Sequence, residues 1–187
     1  MSQVPAKTHE PSPGQTVGPF FAFGTDYEKK HEVAAPHSPG AIVLRGGIYD
    51  GEGNAVPDAM VEIWQADSDG TIPRTRGSLK RNDWDFTGFG RAFTNDDGQF
   101  FFWTRNPGSV NGKPPFIAAI VFARGLPDKL HTRIYLPESA QDDAFLASLS
   151  ENERNSLIAT RTQQGNLHHN FHLQGDKETV FLAYSEE

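Results

Sequence analysis

Apolar positions along this chain recur mostly at every second residue, the period of strands that cover one face. AIVLRGGIYD (41–50) puts Ile42, Leu44 and Ile48 on one face, and the turn-rich DGEGN (Asp50 to Asn54) follows it. AMVEIWQA (59–66) places Met60 and Trp64 on either side of Glu62 on one face, and ADSDG (Ala66 to Gly70) closes that strand. NDDGQFFFWTR joins an Asp-Gly turn to an aromatic strand, Gln99 to Arg105, which NPG ends. The run FIAAIVFA (Phe116 to Ala123) is apolar without alternation and predicts a central strand covered on both faces. LHTRIYLPE alternates again, with Leu130, Thr132 and Ile134 opposite His131, Arg133 and Tyr135. The period turns helical in DDAFLASLSENERNSLIA, which is apolar at Phe145, Leu149 and Leu157. Ser150 followed by Glu153 has the form of a capping box, so two short helices are expected there. NLHHNFHLQG and ETVFLAY predict a closing hairpin. At least six strands with little helix define an all-β sandwich.

Two stretches break the alternation. Residues 1–40 are rich in Pro and Gly and read as an extended N-terminal arm that forms an interface, ahead of a sandwich domain at 41–187. Within the arm, GQTVGPFFAFG sets Phe20, Phe21 and Phe23 after a Gly-Pro step; it suits an arm docked on its own core or one reaching a partner subunit. Residues 71–90 carry Arg74, Arg76, Lys80, Arg81 and Trp84 among several glycines and predict a long irregular loop with solvated cations.

Composition narrows the chemistry. The chain has 187 residues and a formal charge of −7, from 17 basic and 24 acidic residues, which argues against nucleic acid as a partner. No apolar run has the length of a membrane span, and MSQVPAKTHEPSPGQ lacks the apolar stretch of a secretory leader; the expectation is a soluble, cytoplasmic, single-domain protein. Without cysteine, any metal would need His, Tyr or carboxylate ligands. In LHHNFH, His168 and His172 on a strand would stand roughly 13 Å apart, too far to chelate one ion. No nucleophile-elbow or phosphate-binding glycine motif is present.

Several of these strings resemble the intradiol ring-cleaving dioxygenases in order and spacing. IYDGEGNAVPDAMVEIWQADSDG is similar to their strand–turn–strand signature, and GFGRAFTNDDGQFFFWTRNPG to the block that follows. QTVGPFF, IVFARG and HTRIYLPE resemble the protocatechuate branch, in particular the α chains of its heteromeric members. The likeness runs from about residue 11 to the end.

The resemblance implies an intradiol dioxygenase-like β-sandwich, and an activity in which protocatechuate is opened by O₂ between its hydroxylated carbons. It implies ferric iron held by two tyrosines and two histidines of a partner β subunit, because a hard Lewis acid is stabilised by phenolate and completed by imidazole. At the matching positions this chain carries Ile72, Val110, Phe116 and Ala118, so it is expected to bind no metal and to be inactive alone. No tyrosine lies between Tyr49 and Tyr135, which are read as core or edge packing, and no histidine between His37 and His131.

By motif, the substrate-binding residues carried over are Thr16, Gly18, Pro19 and Arg124. Arg124 could meet an anionic carboxylate, and Gly18-Pro19 could form a rigid wall beside an aromatic ring. The plain alternatives are an arginine paired with its own carboxylate and a threonine bonded to its own backbone. A non-catalytic, transthyretin-like β-sandwich binding module is the competing function.

Overall fold

The computed structural model describes residues 15–18, 20–74, 81–140 and 143–184; Pro19, Arg76 and Lys80 lie outside the described residues. In the first sheet, β1 (Ala41–Tyr49) pairs antiparallel with β4 (Gln99–Arg105). On its other edge β1 runs parallel to β8 (Leu167–His168) and then β9 (Phe171–His172), with β7 (Thr160–Arg161) beyond β8. The second sheet is antiparallel, in the order β3 (Phe89–Phe93), β2 (Met60–Trp64), β5 (Phe116–Phe122), β6 (Leu130–Tyr135).

Alternation decides which face closes the sandwich. Leu44, Ile48, Phe100 and Phe102 of the first sheet and Val61, Ile63, Ile117 and Ile134 of the second form one buried cluster. Helices α2 (Ala144–Ser148) and α3 (Glu151–Asn155) follow β6. Asp143 caps α2 by accepting the Phe145 and Leu146 N–H groups, and the Ser150–Glu153 capping box starts α3 as the sequence predicts.

Three expectations need correction. Strand β5 alternates: Ile117, Ala119 and Val121 are buried, whereas Phe116, Ala118, Ile120 and Phe122 are half-buried. Its outer face is covered only in part, by Phe21 against Phe122 and by Arg133 over Phe116.

The closing hairpin is replaced by a longer-range arrangement. ETVFLAY forms no strand, though the Thr179 N–H donates to the His172 carbonyl at 3.0 Å; the LHHNFH segment instead joins β1. The cause lies in Gly46, where an added Cβ would sit 1.7 Å from the His169 carbonyl oxygen. The chain crosses that gap between β8 and β9, and the Asn166 and Asn170 side chains accept the Val43 and Gly47 N–H groups at 2.9 and 2.8 Å.

Arg81, expected on a solvated surface, is half-buried. It donates to the Glu32 and Phe89 carbonyls at 2.7 and 2.8 Å and lies 5.5 Å from the Tyr27 ring centre. A long side chain that threads its stem inward gives no local signal of doing so.

The N-terminal segment packs on one side and projects on the other. Helix α1 (Phe21–Thr25) sets the Phe21 ring 5.7 Å from that of Phe122. Val33 and Ala34 are buried, and their N–H groups donate to the Trp103 carbonyl at 2.8 and 3.1 Å. Phe20 and Phe23 remain 78% and 80% exposed.

Candidate functional site

The W-Q-A-D stretch at the end of β2 and the N-P-G turn after β4 lock together, because Gln65 reaches across to β4. Its Nε2 donates to the Arg105 carbonyl at 2.8 Å, and its Oε1 accepts the Thr104 hydroxyl at 2.6 Å. Asp67 pairs with Arg105 at 3.0 Å, and its carbonyl accepts the Gly108 N–H at 2.9 Å. At Gly108 a Cβ would meet the Ser68 carbonyl oxygen at 2.4 Å, so the two turns approach only because that residue is glycine.

Beside this lock lies a cavity of about 690 Å³. Ile72, Val110 and Phe116, three of the four positions at which the resemblance expects iron ligands, line it. Ala118, the fourth, is paired in register between Trp64 on β2 and Arg133 on β6, and both of those line it as well. Among the described residues, no tyrosine or histidine lines this cavity. The side chains at the four positions are hydrocarbon and cannot coordinate iron, so this donor set does not fit the metal.

The cavity does contain charge. The Arg133 guanidinium lies 4.5 Å from the Phe116 ring centre and 5.5 Å from that of Phe145, and it donates to the Tyr135 hydroxyl at 3.0 Å. Burial pushes the Tyr135 phenol up, against the pull of Arg133, and its hydroxyl donates to Asp143 at 3.2 Å. Sequence reasoning missed Arg133 and Gln65 as site residues. The only available signal was that Arg133 falls on the outer face of an alternating strand.

The residues carried over by motif lie at the opposite end of β5. Arg124 follows the strand by two residues and pairs with Asp58 at 3.3 Å, with both side chains more than half exposed. Thr16 is exposed, and its hydroxyl donates to the Val17 carbonyl at 3.4 Å. Gly18 has open space where a Cβ would stand, and its carbonyl accepts the Phe21 N–H at 3.0 Å. Arm and arginine therefore flank Phe122, which Phe21 touches.

Two half-buried arginines hold the arm there. Arg91 pairs with Glu62, both side chains mostly buried, and also donates to the Thr25 carbonyl. The guanidinium groups of Arg81 and Arg91 each lie 5.5 Å from the Tyr27 ring centre, and burial of Tyr27 pushes its phenol up.

The histidine-rich segment is dispersed: His168 is exposed, His169 is buried, and His172 stacks on Tyr49 at 5.3 Å. Among the described residues, no group of three or more His, Cys, Asp or Glu side chains could hold a metal ion, and no helix is long and apolar enough to cross a membrane.

Residues 17–175 match the dioxygenase family model, and the chain belongs to the intradiol dioxygenase family. Within it, the chain is 36% identical over 205 residues to the protocatechuate 3,4-dioxygenase alpha chain of Pseudomonas putida, covering 97% of this chain and 100% of that one. It is 34% identical over 195 residues to the alpha chain of the same name from Burkholderia cepacia, covering 94% of this chain and 98% of that one. Among solved structures, the dioxygenase domain of a carbohydrate-binding fusion from Streptomyces sp. SirexAA-E superposes with a TM-score of 0.58. That match has 23% identity and covers 87% of this chain and 96% of the other. The intradiol ring-cleavage dioxygenase of Tetranychus urticae gives a TM-score of 0.55 at 20% identity, covering 90% and 96%. These structural likenesses establish the shared fold.

Proposed function

We propose that this chain is the iron-free α subunit of a protocatechuate 3,4-dioxygenase and completes the substrate pocket of an iron-bearing β subunit. One observation carries the reading. A chain similar to α chains along almost its whole length has hydrocarbon side chains at the positions where the family places its metal donors. In the assembled enzyme, 3,4-dihydroxybenzoate and O₂ would yield 3-carboxy-cis,cis-muconate, and the ferric iron would belong to the partner.

This chain's part is to bind and orient. Arg124 offers a planar cation to the substrate carboxylate, exchanging its exposed Asp58 for a ligand that it can grip with two parallel N–H bonds. By motif, Gly18 and Pro19 supply a rigid wall beside the ring, and the Thr16 hydroxyl a further hydrogen bond. Fixing the ring in one pose raises the effective concentration of the reacting groups. Phe20 and Phe23, exposed beside these residues, give the arm an apolar contact for the β subunit.

Protocatechuate-dependent O₂ uptake tests the reading, measured on the chain alone with ferric iron and on the chain co-expressed with a β subunit. Uptake is expected only in the co-expressed sample, and Arg124→Ala is expected to raise KM roughly 10- to 100-fold there. Uptake by the lone chain would overturn the assignment. Inactivity in both samples would favour the binding module.

A further inference from the structure

We propose that the cavity beside Phe116 is a second ligand site, which takes a small aromatic monocarboxylate within this chain itself. This goes beyond the α-subunit reading and does not depend on it.

Size and lining come first. About 690 Å³ is within the range of small-molecule sites, and Trp64, Ile72, Val110 and Phe116 give it apolar walls. Pro114 and Pro115 make one side of the entrance stiff. Such a lining favours a flat hydrocarbon body.

Charge then selects the other end of the ligand. Arg133 is the cation inside, held between the Phe116 and Phe145 rings and braced by the Tyr135 hydroxyl. Asp143, the acid in the same wall, is already engaged. One oxygen accepts the Phe145 and Leu146 N–H groups at 2.7 and 3.3 Å, and the other accepts the Tyr135 hydroxyl at 3.2 Å. Among the described residues, Arg133 forms no ion pair, while Lys113 adds a second cation at the rim. A guanidinium near two rings and braced by a hydroxyl suits a carboxylate that receives two parallel N–H bonds. An aromatic acid lying along Trp64 with its carboxylate on Arg133 satisfies both requirements, and the hydrocarbon at Ile72 and Val110 leaves it with no metal to react on.

Benzoate titration of the purified full chain, followed by calorimetry and tryptophan fluorescence, tests the site. Saturable binding of one benzoate per chain is expected. Benzamide, of the same shape but uncharged, should bind at least about tenfold more weakly, as should benzoate to Arg133→Gln. Val110→Trp, which fills the cavity from a loop, should abolish binding with the melting temperature unchanged. That variant keeps the test valid should Arg133→Gln fail to fold. No saturable binding up to about 10 mM would overturn the proposal, a concentration at which even weak millimolar sites fill. Equal binding of benzamide, or benzoate binding unaltered in Val110→Trp, would overturn it as well.

Discussion

At its Phe116 end, strand β5 faces a cavity walled with hydrocarbon around one ring-flanked arginine. About 20 Å further along the same strand, at Phe122, it runs into an exposed arginine and a docked arm with two phenylalanines turned outward. The first end keeps an elaborate frame, with Gln65 tied to β4 and two turns interlocked at Gly108, although no tyrosine or histidine is among its described lining residues. The second end is anchored from beneath by Arg81 and Arg91, and the polar groups it presents, Thr16 and Arg124, are open. The frame at the first end is therefore a requirement of the sandwich, which must satisfy the buried polar atoms where two loops cross, whatever the cavity holds. Groups at the second end, Thr16 and Arg124 among them, are exposed, as the proposed role at a partner's substrate requires. On the proposed reading, this chain contributes to the reaction at the edge of its fold, not in its interior.

Breaking the arm's anchor should have the largest effect. Arg91→Ala would leave Glu62 buried without its cation, and should lower unfolding stability by about 3–5 kcal/mol in a urea titration. In the folded fraction, proteolysis should quicken within the arm, while benzoate binding at the Phe116 end is unchanged. Loss at both ends together would show that they are not independent.

An acid titration sharpens the contrast from a position at neither end. Burial pushes His169 down to about 4, so the unfolded chain takes up a proton there at a higher pH than the folded one does. Its contribution is complete above about pH 6.5 and is lost as the pH falls toward 4, amounting to about 3 kcal/mol. Thermal melts should show this acid loss in the parent chain, and His169→Phe should flatten it.

The smallest effect on stability is expected from Arg124→Ala. An exposed pair such as Arg124–Asp58 contributes about 0–1 kcal/mol, so the melting temperature should hardly move although substrate affinity in the heteromer falls. A large drop in melting temperature would make Arg124 a structural residue.

Local signals were legible in the sequence. The capping box at Ser150 and Glu153, the Asp97-Gly98 turn before β4, and the existence of strands β2 and β6 depend on neighbours a few residues away. The errors arose where a distant partner decides. Strands β8 and β9 have two residues each and pair with β1, more than a hundred residues away in sequence. Arg81 is drawn inward by Tyr27 and by the carbonyls of Glu32 and Phe89, groups outside its own stretch of sequence except for Phe89. The four hydrocarbon positions were found by resemblance, but that a cation stands among them emerged only when β5 and β6 were paired.

The glycine gap in β1 has a consequence for how the chain is made. Strand β1 precedes its partner by a long stretch of chain: the edge at Gly46 waits for His169, more than a hundred residues later. During translation the first sheet is left with an open edge, the kind of surface that pairs wrongly with other chains. Its closure spans more than a hundred residues and is slow for the same reason that other non-local pairings are slow. Until those two distant segments meet, the edge of β1 beside Gly46 stays unpaired.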